Sequence, residues 1–184
     1  FLMLVKAKIH MESGELDQAD ACVGECLETL EGSDLIAVIK DDQRASAAFV
    51  RGRIAADRKD FEKALAAAES FRSQVEAMNN PALKKQANWL LGYIAMAQGE
   101  PARAVELYGP ADAIDGAVDL YYLGLAKELS GDATGAVEVY KKVANWNADT
   151  AWYAVVRGKA IAKLKDVGAG VIAGMPGLTP RVAS

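Results

Sequence analysis

The chain has 184 residues, of which 52% are hydrophobic and 25% charged, with a net charge of -4. That balance gives apolar material for a sizeable core and enough charge for a folded surface, and it excludes a disordered or fibrous class. No uninterrupted apolar run approaches the roughly 18 residues of a membrane span, and Lys and Arg are scattered singly, so neither a membrane-embedded chain nor a nucleic-acid-binding stripe is predicted.

Taken in chain order, Phe1 to Val5 are apolar but run straight into Lys6, Lys8 and His10, without the basic start or small-residue cleavage site of a signal peptide. A helix already in register at its first residue points to a missing upstream portion. The compartment therefore stays open between cytoplasm and periplasm. Cys22 and Cys26 lie four apart on a helical stretch, where a bridge has poor geometry, so free thiols in a core are expected.

Four segments then repeat one layout. Their turns read Ser13-Gly14-Glu15-Leu16, Arg58-Lys59-Asp60-Phe61, Gln98-Gly99-Glu100-Pro101 and Ser130-Gly131-Asp132-Ala133. Five residues after Gly14, Lys59, Gly99 and Gly131 stand Ala19, Ala64, Ala104 and Ala136, and seven residues before them stand Ala7, Gly52, Gly92 and Gly124. Small residues recurring at both places mark where two helices of a hairpin come close.

The alanines are separated by 45, 40 and 32 residues, so elements have been lengthened and shortened. The uninterrupted periodicity from Leu35 to Asp57 predicts one long helix of about six turns. A second runs from Phe61 to Met78, stopped by Asn79-Asn80-Pro81. Gly109-Pro110 cuts the third hairpin short, because proline lacks the amide proton. Trp152 to Lys165 forms a last amphipathic helix with Tyr153, Val156 and Ile161 available for packing. From Val167 the glycines and prolines predict a tail of loop or linker, with docking of Val171, Ile172 and Met175 as the second reading. The predicted hairpins cover about 1–31, 34–78, 81–113 and 116–147, with a closing helix at 150–165, one domain over 1–165 and a Gly/Pro-rich tail at 166–184.

Leu123-Gly124, Gly131-Asp132, Ala136 and Tyr140, with Leu91-Gly92, Gly99-Glu100, Ala104 and Tyr108, resemble the tetratricopeptide repeat of bacterial type, whose period is about 34 residues. The first two repeats are degenerate, with Lys6-Ala7 and Arg51-Gly52 for Leu-Gly and Val23 and Ala68 where the aromatic stands. The resemblance implies an all-α fold, a right-handed α-solenoid of antiparallel helix hairpins forming a superhelix with a capping helix. It implies a protein-interaction module, scaffold or adaptor, that binds a peptide or protein segment in a concave groove lined by the first helix of each hairpin. Ligand-facing positions fall on Leu4, Phe49, Trp89 and Tyr121, then Lys8, Arg53, Tyr93 and Leu125. Of these, Lys8, Phe49, Arg53, Trp89, Tyr93 and Tyr121 are the groove candidates, aromatic anchors and cations suited to acidic peptides. The alternative for Trp89 and Tyr121 is burial between adjacent hairpins.

No catalytic role is predicted. His10 has no nucleophile in a recognised motif beside it, and phosphate-loop or zinc spacings are missing. Asp41-Asp42 and the acidic run Glu12 to Asp20 read as solvated faces. No cofactor is implied. The alternatives to an interaction module are a helical domain of a larger enzyme or envelope assembly, packed on its own upstream domain, and self-association into a homo-oligomer.

Overall fold

The computed structural model describes residues 2–78, 81–110, 114, 116–146 and 151–173. Among them it is all-α, with nine helices and no strand. These are α1 (Leu2–Glu12), α2 (Leu16–Glu31), α3 (Ala37–Asp57), α4 (Phe61–Ala77), α5 (Pro81–Ala97), α6 (Pro101–Tyr108), α7 (Ala117–Leu129), α8 (Ala133–Ala144) and α9 (Ala151–Ala173). They gather into two compact units, Phe1–Leu107 and Tyr108–Ser184, where the sequence reading has one domain over 1–165. The division falls next to Gly109-Pro110.

Four of the connections share one geometry. Gly14, Lys59, Gly99 and Gly131, the turn residues of the four repeats, all have positive φ, at 79°, 60°, 81° and 93°. The following amides of Glu15, Asp60, Glu100 and Asp132 donate back five residues, to the carbonyls of His10, Ala55, Ala95 and Lys127, at 2.8 to 2.9 Å. This is the Schellman closure, in which a left-handed residue satisfies the last carbonyls of one helix. The same residue that closes one helix then opens the next: Asp60 Oδ1 accepts from the Lys63 amide and Asp132 Oδ1 from the Gly135 amide. Lys127 Nζ, 2.7 Å from Asp132, and the Gly135 amide hold that carboxyl below the usual carboxylate range.

Lys59 carries a Cβ into a conformation that costs an L-residue about 1 kcal/mol or more. Lys59→Gly is therefore expected to raise stability by about 1 kcal/mol, and Gly131→Ala to lower it by a similar amount. Chemical denaturation of the two variants measures both signs, and a destabilising Lys59→Gly contradicts the turn geometry.

In the first unit α1 packs on α2 and α3, and α3 packs on α2, α4 and α5. The core between them contains Leu4, Ala7, Met11, Ala19, Val23, Val50 and Ile54, continued by Ala64, Phe71, Val75, Leu90 and Ile94. Gly52 meets α4 of its own hairpin as its spacing predicts, but its tightest neighbour is on α5 of the next hairpin. A Cβ on Gly52 would lie 3.0 Å from Leu90 Cδ2 and 3.5 Å from Ala67 Cβ, so the missing side chain lets α3 approach both α4 and α5.

The second unit is α7, α8 and α9, each packed on the other two. A Cβ on Gly124 would lie 2.6 Å from Cε1 of Tyr140, and Tyr140 is fully buried. The closing helix α9 caps α8 with side chains: the Tyr153 hydroxyl reaches the carbonyls of Val143 (2.9 Å) and Trp146 (2.6 Å), and Arg157 Nε donates to that of Ala144. Its buried stripe is Tyr153, Val156 and Ala160, whereas Ile161 is exposed, which corrects the packing role predicted for Ile161. The helix also runs past Lys165, through Gly168 and Gly170, to Ala173. A glycine inside a helix costs only about 1 kcal/mol, and the first proline, which would end it, comes at Pro176. The predicted tail thus begins later than 166; residues 174–184 and the side chains of Val171 and Ile172 lie outside the described residues.

Candidate functional site

The first helices of the three hairpins in the first unit, α1, α3 and α5, form successive contacts, α1 with α3 and α3 with α5. Along that line a chain of polar side chains connects all three. Glu12, at the end of α1, accepts a hydrogen bond of 2.7 Å from Arg53 Nη2 of α3, and the two side chains are 0% and 3% exposed. The Arg53 guanidinium carbon stands 4.3 Å from the ring centroid of Tyr93 on α5. The Tyr93 hydroxyl in turn donates to Asp57 Oδ1 on α3 at 2.7 Å.

These partners obey the repeat. Glu12 and Asp57 each lie five residues after the small packing residue of their helix, Ala7 and Gly52, and Arg53 and Tyr93 each lie one residue after theirs, Gly52 and Gly92. A carboxylate at the later position of one hairpin therefore meets a donor at the earlier position of the next, twice over. The first pairing is a buried, charge-assisted ion pair made through one guanidinium nitrogen, Nη2. The second is a phenol held between a guanidinium face and a carboxylate.

Of the six groove candidates, five belong to this unit. Arg53 and Trp89 are buried, while Lys8, Phe49 and Tyr93 are half-buried. Phe49 meets Phe71 edge to face, with ring centroids 5.4 Å apart. The structure brings Arg53 and Tyr93 together and engages Arg53 with Glu12. The sixth candidate, Tyr121, is buried in the second unit between Tyr122 and Tyr140, at 5.4 and 5.9 Å between ring centroids. Leu4 is a core residue of the first unit and Leu125 is half-buried. Glu12, read from the sequence as the start of a solvated acidic face, is buried, which corrects that reading, and Asp57 carried no assignment; their common distance from Ala7 and Gly52 holds the signal for both.

Burial, the largest cause, and then the nearby Asp57 carboxylate push the Tyr93 phenol up to about 12, against the opposing pull of Arg53. An unfolded tyrosine ionises near 10. A folded value above the unfolded one means stability that is fully present below pH 10 and lost as pH rises toward 12. Tyr93→Phe is expected to flatten that loss, as read by urea denaturation at pH 9 and 11; an identical pH slope in the variant would place the alkaline sensitivity elsewhere.

Among the described residues no group of three or more His, Cys, Asp or Glu is placed to hold a metal ion. No helix there is long and apolar enough to cross a membrane. His10 Nδ1 contacts Glu15 Oε2 at 2.5 Å across the first turn, and Cys22 and Cys26 are free thiols. No family model, curated protein or solved structure matches the chain.

Proposed function

We propose that the chain is a tetratricopeptide-like interaction module, a right-handed solenoid of helix hairpins whose first helices present a wall for a peptide or protein segment, with no chemistry of its own. The observation that carries this reading is the recurrence of one pairing rule, from Glu12 to Arg53 and from Asp57 to Tyr93, along α1, α3 and α5. A rule that repeats from hairpin to hairpin is the mark of a quasi-one-dimensional array, in which each unit contacts its neighbours in the same way.

The pairing also decides which wall residues can meet a ligand. Arg53 is almost fully enclosed, so recognition falls on the side chains around it that keep part of their surface accessible, Lys8, Phe49 and Tyr93. Lys8 supplies a cation and the two rings supply amphipathic contact area of the kind that anchors interfaces.

Affinity capture from the native host, followed by direct titration of the captured partner, tests the wall. Lys8→Ala combined with Phe49→Leu is expected to weaken the captured interaction about tenfold or more at a temperature where circular dichroism shows the variant fully folded. Unchanged affinity refutes the assignment. The Arg53→Ala variant is the wrong probe, since loss of binding there would follow from loss of the buried pair.

A further inference from the structure

A second surface lies at one end of the first unit, where α2 runs into α3. Leu2 and Met3 of α1, Cys26 and Leu30 of α2, and Leu35 and Ile39 around the start of α3 line an open apolar cleft of about 470 Å3. That volume is within the range of about 300 to 1,000 Å3 typical of ligand clefts. Five of the eight large hydrophobic side chains exposed among the described residues, Leu2, Leu35, Ile36, Val38 and Ile39, belong to this end of the unit. Exposed apolar side chains gathered around one cleft mark an interaction surface.

The charge beside the cleft is acidic. Arg44 bridges Glu31 and Asp41, at 2.8 and 3.0 Å, and so neutralises part of that acidity. Asp34, in the α2–α3 connection, and Asp42, in the cleft wall, take part in no ion pair among the described residues. Gln43 also lines the cleft, and its buried Oε1 has no hydrogen-bond partner.

We infer that this cleft docks a short amphipathic helix of a partner protein, with apolar anchors on one face and Lys or Arg beside them. An apolar cleft between side chains of α1, α2 and α3 takes side-chain anchors set along one face of a segment, as in helix-in-groove binding. The basic flank follows from Asp34 and Asp42, whose complement is a cationic donor. A second copy of this chain is a poorer occupant, because a two-fold contact would set the same carboxylates against each other. The surface is separate from the α1–α3–α5 wall, so this inference stands whether or not that wall binds anything.

The test uses two designed helical peptides with the same leucine stripe, one flanked by lysine and one by glutamate, titrated against the full chain by fluorescence anisotropy. The lysine peptide is expected to bind about tenfold more tightly than the glutamate peptide at low salt, with the preference shrinking as salt rises. Asp34→Lys with Asp42→Lys is expected to remove that preference. Glu62→Lys with Glu106→Lys, the same change of charge at two exposed positions outside the cleft lining, is expected to leave it intact. Ile39→Ser, at a side chain already 43% exposed, is expected to weaken the lysine peptide severalfold without altering the melt. Equal binding of both peptides, no binding of either, indifference to Ile39→Ser, or concentration-dependent dimerisation that blocks the cleft would each overturn the inference.

Discussion

Arg53→Met is expected to destabilise the first unit by about 3 to 5 kcal/mol, because it strands the Glu12 carboxylate where water does not reach. The Glu12 side chain is 0% exposed and its contact with Arg53 Nη2 is 2.7 Å, so removal of the cation leaves a charge with its main attraction gone. The same change withdraws the guanidinium from the Tyr93 ring. Glu12→Leu combined with Arg53→Met should recover most of the loss, since an apolar pair of similar volume avoids the desolvation of two ions. Hydrogen exchange of the α1 and α3 amides reads the effect within the unit where it belongs. A single variant within about 1 kcal/mol of the parent would show that Glu12 reaches solvent and is not a buried partner.

Tyr140→Ala should cost the second unit about 3 to 5 kcal/mol, the loss usual for a large aromatic removed from a core. Its ring is fully buried and fills the space that Gly124 leaves open. The hydroxyl donates to Glu128 Oε2 at 2.7 Å, and Glu128 Oε1 pairs with Lys163 of α9 at 2.7 Å. Burial first, and then the Glu128 carboxylate, raise the phenol above its ordinary range, so it stays a neutral donor. Gly124→Ala alone should cost about 1 to 3 kcal/mol by overpacking against that ring. In the Tyr140→Ala background the clash is gone, and the glycine change should become close to neutral. Such non-additivity is the signature of a direct contact. Additive losses would mean that Gly124 and Tyr140 act independently and that the shared register of α7 and α8 is misplaced.

Much of the fold was readable because backbone rules act locally. The turn residues Gly14, Lys59, Gly99 and Gly131 were found by spacing, and each is the left-handed residue of its turn. Gly52 and Gly124 were found as small residues where helices meet, and each has a neighbouring side chain where its own would stand. Periodicity gave the long α3, and Gly109-Pro110 gave the short α6, which ends at Tyr108 just before Gly109 with φ 72°. Periodicity misplaced the end of α9, since Gly168 and Gly170 weaken a helix without breaking it.

The candidate site was legible only as a set of positions. Arg53 and Tyr93 could be placed on first helices from the repeat, but spacing along one helix cannot tell whether a side chain meets solvent, a ligand or the next helix. Glu12 and Arg53 are separated by 41 residues in the chain, and their contact exists only because α1 and α3 stack. The amino-acid sequence by itself determined most of the helices and their turns, which depend on interactions within a few residues, and it marked Gly52 and Gly124 as small residues without saying which side chain each would meet. The engagement of Arg53 by Glu12, the burial of Trp89 and Tyr121, and the cleft beside Leu35 and Ile39 were decided only by tertiary packing, because burial depends on which helix lies opposite.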